Sequence, residues 1–209
     1  MKNILVISSA TKKAYICLKT ELCEDFREID ANCKQSENIL FQIDNLLSCH
    51  NMDLSDINDI AVVVGPGSFT GVRIGVSLVK GFCAGNKNIK VYPISTFDFM
   101  AEHIKDERFA CVLNALSGLA FVKEYDRISG KEGEEKMIEV KELCEIKSPK
   151  FGIAEEDVCG DKIDLSASKL LACAMRKIEQ GETVCSKELC PVYLRNSQAE
   201  ENLKKNKKI

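Results

Sequence analysis

Histidine is nearly absent from this chain: two residues, His50 and His103, in a total of 209. A zinc metalloprotease needs paired histidines in a His-Glu-x-x-His string, and these two stand far apart. Each reads as a surface or helix-end residue. Ser68 sits on a sharp turn, but a nucleophile elbow wants Gly-x-Ser-x-Gly and a histidine base, and its surroundings supply neither. No run of about 18 apolar residues occurs, so no membrane-spanning helix is expected. The net charge of −3 is too weak to draw a nucleic acid by itself. Met1-Lys2-Asn3 opens straight into a strand-length apolar run, without the layout of a secretory signal. A cytoplasmic globular chain is expected, long enough for one large core or two small ones.

Cysteine is the opposite case. Eleven are present, at 17, 23, 33, 49, 83, 111, 144, 159, 173, 185 and 190. The count is odd and no Cys-x-x-Cys pair occurs, so zinc-ligand spacing is missing. Most lie in apolar contexts such as Gly81-Phe-Cys-Ala84. They are expected as buried, reduced thiols in a reducing compartment, without zinc and without a structural disulfide. The carboxylates Asp53, Asp56 and Asp59 straddle a turn and read as solvated caps.

The densest signal is Gly65-Pro-Gly-Ser-Phe-Thr-Gly-Val-Arg-Ile-Gly75. It follows the buried-strand run Ile60–Val64 and leads into a helix of small residues. Pro66-Gly67 suits the centre of a type II turn, and Ser68 is a good N-cap. A helix N-terminus favours anions, so Gly65, Gly67, Ser68, Phe69, Thr70 and Arg73 form a candidate nucleotide or anion loop. The spacing is neither a P-loop nor a dinucleotide fingerprint, and a tight connection without ligand stands beside that reading.

The helix carries two rows of small residues, Gly71/Gly75 and Ser77/Gly81/Gly85. Each helical glycine costs roughly 1 kcal/mol relative to alanine, and the close approach of a second backbone would offset that. The apolar Val72, Ile74, Val76, Leu78 and Val79 leave few polar positions. Gly71 and Gly75 are therefore expected to admit a helix of another chain, with packing inside this chain as the other reading.

Periodicity predicts strands at 3–8, 14–20 and 25–30, a helix at 36–49 capped by Ser36, strand 59–64, helix 68–85 and strand 89–94. A short helix follows through His103. A hairpin of 109–116 and 119–126, strands near 137–142 and 150–154, and helix 166–180 ending at Gly181 complete the pattern. No internal repeat is visible. The tail 203–209 is charged and expected to be mobile.

The Gly65–Gly75 string resembles the signature of the TsaB (YeaZ) family of tRNA threonylcarbamoyladenosine synthesis. Met1–Ile7, Gln35-Ser-Glu37, Leu54-Ser-Asp-Ile57, Val91-Tyr-Pro-Ile-Ser95 and the closing Pro191-Val-Tyr-Leu-Arg195 are similar to that family too. The match is dense over 1–100 and sparse afterwards. Family members tend to carry Asp-Thr-Ser after the first strand, His-Ser-Glu before the first helix and Asp-Ala-Arg in the second half. Here Ser8-Ser9-Ala10, Gln35 and Asn114-Ala115-Leu116 stand instead, so three polar groups that could serve chemistry are lost.

The resemblance implies an α/β, actin-like (ribonuclease H-like) duplicated fold. It has an N-terminal subdomain at 1–98 and a smaller, divergent one at 99–209. It implies a noncatalytic scaffold that pairs with the catalytic transferase subunit TsaD and engages the ATPase TsaE. tRNA would be met only through that complex. No cofactor of its own is implied, with ATP or ADP at the subunit junction. The partner interface would comprise Ser36, Ile39, Leu40, Ile43, Leu47, Gly71, Val72, Gly75, Leu78, Val79 and Phe82. A stand-alone ATPase of the same superfamily and a homodimeric interaction module are the other readings.

Overall fold

A computed structural model describes residues 2–30 and 35–194, with the backbone alone at 35–37. The Ser36 side chain, Cys33, Arg195 and the tail 203–209 lie outside the described residues.

The chain opens with β1 (Ile4–Ser8), β2 (Lys13–Lys19) and β3 (Glu24–Asp30), then α1 (Gln35–Cys49), β4 (Asp59–Gly65), α2 (Phe69–Gly85) and β5 (Lys90–Ser95). These strands form one sheet in the order β3-β2-β1-β4-β5. β1 pairs antiparallel with β2 and parallel with β4. Every residue of β4 is buried, as expected of a strand covered on both faces. Val62 faces α2, where it meets Gly75. Tyr15 and Cys17 of β2 face the other way, bonding the carbonyls of Leu165 and Ala167. β3 is the edge, and its charged, partly exposed residues blunt it against strand addition.

The second half repeats the plan in reduced form. α3 (Thr96–Ala101) leads to β6 (Arg108–Leu116) and β7 (Leu119–Asp126), then the short β8 (Lys131–Glu132) and β9 (Lys136–Glu139), β10 (Lys150–Ile153) and β11 (Asp161–Ile163). The order is β11-β10-β6-β7, with β8 and β9 both beside β7. Numbered within its own half, each sheet therefore runs 3-2-1-4-5, with the second strand antiparallel to the first. This is the duplicated actin-like, ribonuclease H-like arrangement. The duplication shows in the topology although no sequence repeat does, because the second half has a 3-10 turn (Val140–Glu145) where the first has α1. α4 (Ala167–Gln180) packs back across the first sheet on β2, β3 and β5. It stops at Gly181, whose φ of +73° is the left-handed conformation glycine takes at helix ends.

The main core spans both sheets through Phe97, Phe99, Phe109 and Leu170. A buried charged cluster ties the halves together. Asp98 Oδ1 accepts from Lys123 Nζ and from the Tyr125 hydroxyl, both at 2.9 Å, and Lys177 Nζ lies 3.3 Å from Oδ2. Asp98 and Lys123 are 5% and 7% exposed. Burial pushes the Asp98 carboxyl up, and the Lys123 and Lys177 ammonium groups together outweigh it and hold the group below its ordinary value.

Three local expectations need correction. Asp59 is buried beside Lys2 at 3.1 Å rather than solvated; Asp53 does cap the following turn. Of the described cysteines, Cys17, Cys83, Cys111 and Cys173 are buried, but Cys49, Cys144, Cys159, Cys185 and Cys190 are exposed. β11 has no counterpart in the periodicity reading.

Candidate functional site

Ser68 caps α2 as its residue type suggests, accepting from the Gly71 N–H at 3.2 Å. The turn before it is not type II. The Gly65–Pro66 peptide is cis, and Gly67 has φ +159° where a type II turn wants about +80°.

What faces the turn is carbonyl oxygen. The Ala10 carbonyl accepts from the Ser68 N–H at 2.7 Å. A Cβ on Gly67 would stand 2.3 Å from that same oxygen, and one on Gly71 would stand 1.8 Å from the Ser9 carbonyl oxygen. Ser9 Oγ donates to the Gly71 carbonyl at 2.7 Å. The glycines are thus needed so that the β1–β2 turn, Ser8-Ser9-Ala10, can lie against the first turn of α2. A phosphate cradle needs converging N–H groups; this one is filled by the chain's own carbonyls.

The rest of the candidate anion loop is held by the closing motif. The Val192 N–H donates to the Val64 carbonyl at 2.7 Å. The Val192 oxygen lies 2.9 Å from where a Gly65 Cβ would be. Arg73 Nε donates to the Tyr193 hydroxyl at 2.7 Å, and its guanidinium carbon stands 3.7 Å above the Phe69 ring. Phe69 and Tyr193 rings are 5.0 Å apart. The two strings that looked like separate signatures are one contact. Of the six loop residues, Phe69 and Arg73 clasp Tyr193, Gly65 and Gly67 admit backbone, Ser68 caps, and Thr70 is exposed.

Two other positions that departed from the family pattern, Ser8 and Asn114, lie near the ends of β1 and β6, and the Gln35 side chain lies outside the described residues. Ser8 is buried at the end of β1, and its Oγ has no hydrogen-bond partner among the described residues. Asn114 occupies the matching end of β6. Its N–H donates to Glu156 Oε2, its Oδ1 accepts from the Leu116 N–H, and its Nδ2 donates to the Asp157 carbonyl. Between these strand ends, Lys12 reaches the Glu155 carbonyl and Lys13 pairs with the Glu155 carboxylate at 3.8 Å. Among the described residues no cluster of three His, Cys, Asp or Glu could hold a metal ion. No helix among them is long and apolar enough to cross a membrane.

The expected partner interface divides in two. Ile39, Ile43 and Leu47 of α1, and Val72 and Val79 of α2, are buried in this chain's core. Gly71 and Gly75 face Ser9 and Val62 of the same chain. Those seven are core, because α1 and α2 must bury an apolar face against the sheet before any partner arrives. Leu78 and Phe82 are half-buried and Leu40 is 49% exposed. Phe41, which the interface reading omitted, is 58% exposed. The second small row is the open one: a Cβ on Gly81 or Gly85 would meet nothing within 4 Å.

With this geometry stands a family match. The model of the family described as TsaD, tRNA N6-adenosine threonylcarbamoyltransferase, covers residues 30–187, well over half of the chain. The chain belongs to this family. Within it, the chain falls in the TsaB (YeaZ) group. It is 26% identical to the tRNA threonylcarbamoyladenosine biosynthesis protein TsaB of Escherichia coli K12, over 94% of this chain and 96% of that protein. The TsaB of Haemophilus influenzae is 25% identical over 77% of this chain and 80% of its own length. The solved structure of YeaZ from Pseudomonas aeruginosa superposes with a TM-score of 0.77 at 22% identity, covering 93% of this chain and all of that one. That likeness establishes the fold.

Proposed function

We propose that this TsaB-group chain is a noncatalytic scaffold and activator subunit in threonylcarbamoyladenosine synthesis on tRNA. It acts by pairing with a TsaD-type transferase. The observation that carries the reading is the outer face of α1 and α2. Two large apolar side chains, Leu40 and Phe41, stand in solvent there, and α2 offers the row Ser77, Gly81 and Gly85. Helical glycines cost about 1 kcal/mol each. Gly71 and Gly75 have an offset inside the chain; Gly81 and Gly85 have none within 4 Å. A helix of a partner laid along that row supplies it, with Leu78 and Phe82 beside it.

A partner of the same family fold is the natural occupant, since like folds present like helix pairs. A TsaE-type ATPase, tRNA reached through the complex, ATP or ADP at the junction and a cytoplasmic setting belong to the same reading. Ser8 and Asn114 stand where an independent ATPase would need acids, which weighs against hydrolysis by this chain alone. The same exposed face supports a homodimer when the transferase is missing.

Nucleoside mass spectrometry of tRNA tests the proposal. The chain alone is expected to leave tRNA unmodified and ATP intact, and to raise the yield when added to the TsaD-type transferase. Threonylcarbamoyl transfer or ATP turnover by the isolated chain, surviving repurification, would overturn it.

A further inference from the structure

The β2–β3 turn and the residue just past α1 bring together three side chains that the proposed docking face does not use. Cys23 Sγ lies 3.5 Å from His50 Nδ1, and His50 Nε2 lies 3.1 Å from Asp25 Oδ2. Sγ also lies 4.0 Å from Nε2, so the sulfur stands beside the imidazole, nearer to Nδ1. Asp25, an acceptor when ionised, accepts a hydrogen bond from the Nε2–H and so fixes the tautomer. Nδ1 is then left as the unprotonated nitrogen, and it is the nearer of the two to the thiol. Partial burial pushes the Asp25 carboxyl up, but hydrogen bonds from Arg27 and His50 together outweigh it and hold the group below its ordinary value.

The turn also shapes the sulfur's surroundings. The Thr20 N–H donates to the Cys23 carbonyl at 2.9 Å. Thr20 Oγ1 accepts from the N–H groups of Leu22 and Cys23, both at 3.1 Å, and stands 3.3 Å from Cys23 Sγ. The same hydroxyl lies within donating distance of the Cys23 carbonyl at 3.4 Å, so carbonyl and sulfur share its one hydrogen. Access is open: Cys23 is half-buried and the adjacent Leu22 is 96% exposed.

Nucleophile, base and orienting carboxylate in this order are the arrangement that activates a thiol. We propose that Cys23 is a modification site, a nucleophilic thiol that forms a mixed disulfide with low-molecular-weight disulfides of the glutathione type. The Cys23 proton passes to His50 Nδ1, and Asp25 holds the resulting imidazolium. The thiolate attacks one sulfur of the small disulfide. The Cys23 S–S bond forms as the reagent's S–S bond breaks, and the departing thiolate takes the proton from His50. One Cys23 sulfur is oxidised to the disulfide level and one reagent sulfur is reduced to a thiol, so no further oxidant is needed.

The other described cysteines are built-in comparators. Burial pushes the Cys17 and Cys111 thiols up, and that of Cys173 up to about 12. Cys144 is exposed and bonds the Lys141 carbonyl, and Cys159 is exposed. The second histidine, His103, faces Phe99 and Ser166 instead of a thiol.

The experiment treats the full chain with limiting glutathione disulfide near neutral pH, traps free thiols by alkylation and maps peptides by mass spectrometry. General-base assistance is worth about 100-fold or more when fully expressed, so Cys23 is expected to react at least about tenfold faster than Cys144 and Cys159. His50→Gln is expected to bring Cys23 down to their rate and leave theirs unchanged. If that variant loses its fold, Cys17 and Cys111 become reactive, and Asp25→Asn then provides the same reading. A wild-type Cys23 no faster than Cys144 and Cys159 would overturn the proposal. So would a Cys23 rate unmoved by the folded variant.

Discussion

Alanine at three glycines of α2 separates the two faces of that helix. At Gly71 the new Cβ would stand 1.8 Å from the Ser9 carbonyl oxygen, a backbone atom that cannot swing aside. At Gly75 it would stand 2.9 Å from Ser9 Oγ, which is occupied in a buried hydrogen bond to the Gly71 carbonyl. At Gly81 nothing lies within 4 Å. Overpacking costs roughly 1–3 kcal/mol, occasionally more, and glycine to alanine in a helix returns about 1 kcal/mol. Gly81→Ala should therefore gain up to about 1 kcal/mol, Gly75→Ala should lose about 1, and Gly71→Ala should lose about 3. In a chain of this size each kcal/mol moves the melting temperature by about 2–4 °C. The assay is thermal melting backed by urea titration. Melting of Gly71→Ala at the wild-type temperature, with Gly81→Ala destabilised, would refute the assignment of the inner and outer rows.

Three further outcomes are expected. Asp98→Ala leaves the buried Lys123, among the described residues, with only Glu132 (2.8 Å) as a carboxylate partner, and should cost about 3 kcal/mol in denaturant titration; a loss under about 1 kcal/mol would mean that water reaches the cluster. Arg73→Ala and Tyr193→Ala should show a coupling of about 1 kcal/mol in a double-mutant cycle, the scale of a cation–π and hydrogen-bond clasp, and simple additivity would deny the contact. His103 has its pKa lowered by burial, and its Nε2 accepts from the Ser166 N–H at 3.1 Å, so the unfolded chain takes up a proton there first as pH falls. Its contribution is complete above the unfolded value of about 6.5 and is lost as pH falls from there through the folded pKa. His103→Gln should accordingly flatten the decline in stability below that pH relative to wild type, and an unchanged slope would count against the buried neutral ring.

Much of the first half was legible in the sequence because local signals agreed. Ser68 and Gly181 are strong terminators, and the continuous apolar run at β4 marks a strand covered on both faces. The closing Pro191-Val-Tyr was visible as a motif but not as the partner of Phe69 and Arg73, since 120 residues separate Arg73 from Tyr193. The two glycine rows were visible as well. Which of them meets backbone depends on how the β1–β2 turn docks on α2, and that is a tertiary fact absent from helix periodicity. β11 is three residues, two of them charged, with no pattern to read. Cys23, Asp25 and His50 gave no motif because they meet only after the end of α1 is laid beside the β2–β3 turn. The abundance of cysteine hid Cys23, which alone among the described cysteines has a histidine partner.

The pairing claim is tested most directly by calorimetric titration of the TsaD-type transferase from the same source into the wild-type chain, Gly81→Leu and Phe41→Asp, with thermal melts run in parallel. The account expects the wild type to bind and each variant to lose about 2 kcal/mol or more, roughly 30-fold in affinity, while melting temperatures stay at or above wild type for Gly81→Leu and near it for Phe41→Asp. Wild-type affinity in both variants would contradict it, because the outer face of α1 and α2 would then not be where the partner sits.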